Sequence, residues 1–301
     1  MTALRLATRR SPLALAQAQL VVDRLGRHGV ACVLVPVETH GDRDAESPLE
    51  AIGGQGVFAV EVQRSVLEGA ADVAVHSAKD LPSATPDGLV LACVPERRDA
   101  ADVLVGRSLD GLGPGATVAT GSPRRRALLL ERRPDLRVVG LRGNMAKRLA
   151  APGRDGVDAV VAAMAALERL GEAVLVAERL DPEWFVPQVG QGAIALEARS
   201  HDDTTLTLLA TINDAVAFSA ILAERAFLAE LGAGCSIPAG AHGVLSGDVV
   251  ALRGVMLAVD GTTSVRATLE GADPLELGRD LARLLRDEMD GASLPGWETG
   301  R

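Results

Sequence analysis

Short β-branched runs alternate along this chain with longer stretches rich in alanine and leucine, a rhythm that leaves few folds open. LRLATR gives way to SPLALAQAQLVVDRLGRHG and then to VACVLVPVET, and the alternation continues through ADVAVHS, LVLACV, GATVATG, DLRVVGL and GVDAVVAA. Strand-length runs this apolar are buried on both faces, with the helical stretches between them as cover, so an α/β architecture with largely buried sheets is expected. At 301 residues and 48% hydrophobic content, the chain exceeds one compact lobe and suits two or three domains.

Two changes of composition mark crossings between lobes. PERRDAADVLV, from Pro95, separates a strand-like run from a new α/β stretch, and FVPQVGQGAIALE offers a second flexible crossing near Gly190 and Gly192. The expected division is residues 1–95 with 193–212 in a first α/β domain, 96–192 in a second, and 213–301 in a smaller α+β third domain. Beyond Asp214 that third domain reads as a strong helix, AVAFSAILAERAFLAEL, a glycine-rich loop, short strands and a final helix, PLELGRDLARLLRDEMD. No solenoid period is present, and ASLPGWETGR reads as a frayed tail.

Several function classes are set aside by composition. No run of apolar residues is long enough for a transmembrane helix, and the opening Met1-Thr2-Ala3-Leu4-Arg5 lacks the pattern of a signal peptide, so a cytoplasmic protein without a membrane role is expected. Cys32, Cys93 and Cys235 are odd in number and far apart, which argues against a disulfide framework or a CxxC site. The histidines lack ligand spacing, so no metal is expected. A net charge of -9 and few aromatic residues argue against nucleic acid as a partner. Where arginines cluster, a small anion is the better reading.

Three junctions share one design, in which cations gather where a capping side chain opens a helix. In ATRRSPLALAQ, Ser11 is a good N-cap, Pro12 suits the first helical position, and Arg9 sits beside them. In VATGSPRRRALLL the same start recurs at Ser122 and Pro123, after Thr120 and with Arg124, Arg125 and Arg126 in the first turn. Cations there oppose the helix dipole at a cost of about 0.3–1 kcal/mol, and a bound anion reverses the sign. In GLRGNMAKRLA, Asn144 is the cap, with Arg142 before it and Lys147 and Arg148 after it. One such cluster alone reads as a solvated face, but three reads as an anion site. Arg132 and Arg133 lie near a helix end, where cations are stabilising, and need no ligand.

Two further residues invite chemistry. Asp80, in VAVHSAKDLPS, follows an apolar strand and belongs at the end of a sheet, where open α/β folds hold ligands; a turn aspartate capping the backbone is the plainer alternative. His76 just before it suits a core histidine. Cys235, in ELGAGCSIPAG, lies in an open glycine-rich loop, where a thiol is open to modification, although a bare cysteine is more often a small buried hydrophobe. GGQGVF and VGQGA lack the lysine or spacing of nucleotide loops.

Taken in order, RLATRRSPLALAQ, GGQGVF, VAVHSAKDLP, GSPRR, ERRPDL, LRGN, VGQGA and GCSIP closely resemble the porphobilinogen deaminase family over nearly the whole chain. The resemblance implies two periplasmic-binding-protein-like (type II) α/β domains, a smaller α+β C-terminal domain, and an active site in the cleft between the first two. It implies a transferase that condenses four porphobilinogen molecules head to tail, releasing ammonia and then hydroxymethylbilane, in tetrapyrrole (haem) biosynthesis. The family carries a covalent dipyrromethane cofactor on a thioether, and the matching residue here is Cys235. Asp80 matches the catalytic carboxylate that stabilises positive charge as ammonia leaves to give an azafulvene, and it also contacts the cofactor. Ser77, Lys79, Thr120, Ser122, Arg124 and Arg125 match cofactor-binding positions. Arg9, Ser11, Gln17, Arg142, Arg148 and Gln191 match positions for incoming substrate and the extending chain. Phe58 matches a mobile loop over the cleft, and a monomer is the family expectation. The chain departs from the family at Gln55, Gly121 and Lys147, where lysine, serine and a neutral residue are common. The rival reading is a non-catalytic two-lobed binding protein for a small carboxylate.

Overall fold

The computed structural model describes residues 3–43, 56, 58–232 and 237–297. The chain opens with strand β1 (Leu4–Arg9), helix α1 (Pro12–Arg27) and strand β2 (Cys32–Val37). It continues through α2 (His40–Arg43), α3 (Val60–Leu67), β3 (Val73–Ser77) and β4 (Leu89–Cys93). Ser11 caps α1 by accepting a hydrogen bond from the Ala14 N–H, and Pro12 occupies its first turn.

After the first crossing come β5 (Asp102–Val105), β6 (Thr117–Ala119), α4 (Pro123–Arg132), β7 (Arg137–Val139), α5 (Met145–Leu149), β8 (Ala159–Ala163), α6 (Met164–Leu170) and β9 (Val176–Arg179). The return crossing leads to β10 (Ile194–Arg199), α7 (Asp203–Ala210) and α8 (Ala215–Glu230). Strands β11 (Ala239–Ser246), β12 (Val249–Leu257) and β13 (Ser264–Gly271) and helix α9 (Pro274–Arg283) follow.

The strands form three sheets, ordered β2-β1-β3-β10-β4, β7-β6-β8-β5-β9 and β11-β12-β13. In the first, β1 pairs in parallel with β2 and β3, while β10 enters antiparallel between β3 and β4. In the second, β6 is parallel to β7 and β8, while β5 runs antiparallel to both β8 and β9. The two sheets therefore repeat one plan, with a chain segment from after a crossing inserted antiparallel. The third sheet is an antiparallel meander covered by α8 and α9. The fold is thus two α/β units and a smaller α+β unit, as expected.

Each sheet has its own apolar core. Leu6, Val21, Leu25, Val75 and Leu196 pack under the first, Leu104, Leu128, Leu129 and Phe185 under the second, and Phe227, Leu252, Met256 and Leu281 under the third. Two details differ from the sequence reading. The third-domain strands span 8 or 9 residues and are not short. The final helix is α-helical only to Arg283; Leu284–Glu288 form a π-helical turn before Asp290, which has φ 60. Among the described residues, no single helix is long and apolar enough to cross a membrane.

Candidate active site

Parallel strands deliver their C-terminal ends to one edge of a sheet, and in the first sheet that edge carries the chemistry. β3 ends at Ser77 and runs into a 3₁₀ turn, Ala78–Asp80. β1 ends at Arg9, whose Nη1 lies 3.8 Å from Asp80 Oδ2. The Arg9 guanidinium also sits 4.0 Å above the centre of the Phe58 ring, a cation–π contact from the GVF segment. Arg9, Ser11, Gln17, Phe58, Ser77 and Asp80 line a cavity. Within it the Ser77 hydroxyl donates to Gln17 Oε1 at 2.9 Å, so Ser77 groups with the residues assigned to substrate.

A second cavity opens on the other side of the same turn and draws on the surroundings of all three sheets. Lys79, Ser122, Arg124, Gln188, Arg225 and Ile237 are among its lining residues. Ser122 caps α4 by accepting from the Arg125 N–H, and its own N–H donates to Thr120 Oγ1 at 3.2 Å. Asn144 caps α5 in the same way through the Lys147 N–H. All three capping assignments made from sequence are therefore present.

The arginine pair at the start of α4 is buried, and its counter-charge belongs to the protein. Arg124 Nη2 donates to Asp102 Oδ2 at 2.7 Å, and Arg125 Nη2 donates to Asp102 Oδ1 at 2.6 Å. Arg124 Nη1 donates to the Val186 carbonyl at 2.6 Å and Arg125 Nη1 to the Val161 carbonyl at 3.1 Å. Burial pulls the Asp102 carboxyl upward, but Arg125 and Arg124 overcome it and hold the group near 2. The counter-charge that the sequence reading assigned to a bound anion is thus supplied in part by Asp102. The available signal was one acid opening an otherwise apolar run, DVLV. Arg124 Nε remains buried without a hydrogen-bond partner among the described residues.

Gln191 sits at the centre of this array, fully buried. Its Nε2 donates to Asp102 Oδ1 at 2.9 Å and to the Ala100 carbonyl at 2.7 Å, while its Oε1 accepts from Arg125 Nη2 at 3.4 Å and Lys79 Nζ at 3.5 Å. Gly190, with φ +76, allows this approach: a Cβ there would stand 2.8 Å from the Ala78 carbonyl carbon and the Lys79 nitrogen. The glycines of VGQGA thus serve close backbone contact. Burial, then Arg125, lowers the Lys79 ammonium to about 8 against the opposing pull of Asp80 and Asp102. Burial and the charges of Arg125, Arg142 and Arg9 likewise lower Arg148, which Asp80 opposes, so these cations share one field. Arg148 Nε donates to the Gly143 carbonyl at 2.9 Å.

Other residues fall outside this group. His76 is buried with Nε2 3.2 Å from Glu197 Oε2, a core arrangement. Arg133 pairs with Asp135 and donates to the Leu109 and Leu112 carbonyls, consistent with a structural role. At Gly121 a Cβ would meet the Leu141 carbonyl oxygen at 2.8 Å, so that departure goes with a close chain approach. Cys235 and Gln55 lie outside the described residues. Sequence reasoning also missed Glu224, fully buried on α8. It accepts from Arg97 Nη1 at 2.6 Å and from the Gly243 and Gly190 N–H groups at 2.7 Å, tying both crossings to the third sheet.

Two α/β units and an α+β unit bordering a cavity lined by Lys79, Arg124 and Arg225, with a second cavity at Arg9 within the first unit, define a two-lobed protein with a site suited to an anionic ligand. Family models match residues 4–207, as "Porphobilinogen deaminase, dipyromethane cofactor binding domain", and residues 218–287, as "Porphobilinogen deaminase, C-terminal domain". The chain belongs to the porphobilinogen deaminase family. It is 44% identical to the porphobilinogen deaminase of Syntrophotalea carbinolica over 89% of this chain and 87% of the relative. It is 37% identical to that of Bacillus subtilis over 96% of this chain and 94% of the relative. Among solved structures, the methionine-binding protein MetQ aligns with TM-score 0.43 and 12% identity over 70% of this chain and 89% of that one. A periplasmic substrate-binding protein from Coxiella burnetii aligns with TM-score 0.42 and 15% identity over 72% and 94%. Likeness at that level says nothing of ligand.

The residues present fit the dipyrromethane of the matched family domain. Such a group carries several carboxylates, and the second cavity offers Lys79, Ser122 and the buried Arg124 Nε, which has no hydrogen-bond partner among the described residues. Ile237, two residues beyond Cys235, lines the same cavity.

Proposed function

We propose that the chain condenses four porphobilinogen molecules head to tail on a dipyrromethane held by Cys235, releasing ammonia and finally hydroxymethylbilane. The observation that carries this reading is the Ala78–Asp80 turn, which presents Asp80 to a cavity beside Arg9 and Lys79 to a second cavity lined also by Arg124 and Arg225. One cavity suits a polycarboxylate primer and the other an incoming unit.

When bound, the dipyrromethane supplies the terminal pyrrole carbon to which the first unit is joined. Lys79, Ser122 and Arg124 hold carboxylates in the second cavity, with Thr120 supporting the Ser122 backbone and Arg125 adding positive field. Arg9, Ser11, Gln17 and Ser77 receive the substrate beside Asp80, and Arg142 and Arg148 extend the cationic surface for the growing chain. Gln191 orients Lys79 and Arg125 from behind and does not itself reach substrate. Asp80 accepts hydrogen bonds from the pyrrole N–H and offsets the positive charge that develops as ammonia departs. Arg9, 3.8 Å from Asp80, pairs with a substrate carboxylate at the same wall.

This reading divides the chain at 1–95 with 193–212, 96–192 and 213–301, which is supported by one sheet falling in each part. It takes the protein as a cytoplasmic monomer, to be tested by fractionation and light scattering. The decisive experiment is the intact mass of the denatured protein, with peptide mapping, followed by ammonia release from porphobilinogen. A two-pyrrole adduct on the Cys235 peptide together with ammonia release is the expected result; an unmodified chain that stays unmodified and inert with porphobilinogen overturns it.

A further inference from the structure

Asp102 carries none of the roles assigned above, yet both guanidiniums of the arginine pair and the Gln191 amide converge on it. It is fully buried at the start of β5, where pairing with β8 places it opposite Ala163. The first turn of α4 stands over that strand, so the position of Asp102 dictates where Arg124 and Arg125 come to rest.

We propose that Asp102 is a positioning residue for this site: its carboxylate fixes Arg124 and Arg125 against the cavity wall, and Gln191 carries that constraint on to Lys79. The proposal rests on the deaminase reading for its ligand, but its geometry stands apart from that reading. Arg125 spends Nε, Nη1 and Nη2 on Asp102, Val161 and Gln191, so it contributes charge to the cavity more than hydrogen bonds. Arg124 spends both terminal nitrogens on Asp102 and Val186 and turns only its buried Nε elsewhere. One carboxylate against two guanidiniums leaves this cluster with a single excess positive charge. Without it, two adjacent buried cations would repel each other and lose a common orientation.

Gln191 extends the arrangement across the cleft. Its Nε2 is committed to Asp102 and the Ala100 carbonyl, so Oε1 is the face that meets Lys79 and Arg125. The ammonium of Lys79 is therefore linked through Gln191 to a carboxylate on the other lobe.

The test compares wild type with Asp102→Asn and Gln191→Leu in the full-length protein as purified. The primer-bearing fraction is read from intact mass, and the pH midpoint of Lys79 acylation from peptide mass spectrometry on the same samples. For Asp102→Asn the midpoint should fall by roughly one unit, since an opposing charge near the ammonium is lost, and the primer-bearing fraction should drop severalfold. A role confined to stability would lower the melting temperature and leave the midpoint in place, so a folded Asp102→Asn protein with wild-type midpoint and primer overturns the proposal. If that variant does not fold, Gln191→Leu decides, because it keeps the ion pairs: a displaced midpoint with reduced primer supports the proposal, and no change in either overturns it. Failure of the deaminase reading shows separately, as a wild-type chain that releases no ammonia, and leaves the Lys79 midpoint readable.

Discussion

Arg9 Nη1 faces Asp80 Oδ2 across 3.8 Å, joining the end of β1 to the turn that follows β3. The pair brings a cation and a carboxylate to one cavity wall, and its two halves carry different work. Asp80→Ala should reduce ammonia release by at least about a hundredfold while leaving the primer attached, since the group acts on charge developed during reaction. Rate and intact mass on one preparation check this; normal turnover would remove Asp80 from the mechanism.

Lys79 should give opposite trends in binding and stability on either side of pH 8. Its folded value near 8 lies below the ordinary 10.5, so between those values the folded protein holds fewer protons than the unfolded chain, and stability rises with pH. In the same window the ammonium is lost, and carboxylate binding should weaken. The rate at which primer-free protein gains its two-pyrrole adduct should fall above pH 8 in wild type, with the fall flattened in Lys79→Gln. Parallel thermal melts should show the Lys79-dependent part of stability moving the other way.

Glu224 should matter to stability more than any exposed carboxylate. Its removal leaves Arg97 without its ion-pair partner and strands the Gly190 and Gly243 N–H groups. Glu224→Ala should cost about 3–5 kcal/mol in denaturant unfolding, and Glu224→Gln clearly less. Equal stability of wild type and Glu224→Ala would contradict the burial of this group.

Gly190→Ala should damage activity beyond its effect on folding. The residue has φ +76, and a Cβ would press on the backbone of Ala78 and Lys79 at 2.8 Å, the turn that carries Asp80. A loss of about 1 kcal/mol or more is expected from the backbone conformation alone. Turnover measured well below the melting temperature should also fall, because the turn must shift.

Much of this protein follows from local chemistry. The apolar runs at Leu4–Arg9, Val73–Ser77 and Ala159–Ala163 became strands, and Ser11, Ser122 and Asn144 became caps, because each depends on residues within a turn or on a short repeat. The family motifs likewise singled out Arg9, Lys79, Asp80 and Arg124, all of which line the two cavities. Sequence could not say that Asp102 neutralises Arg124 and Arg125, or that Glu224 holds Arg97 across 127 positions. Nor did it reveal β10 as an antiparallel strand inside the first sheet, since a buried run looks alike in either direction. Burying a charge demands a partner, but only the path of the backbone through three sheets decides which carboxylate arrives beside it.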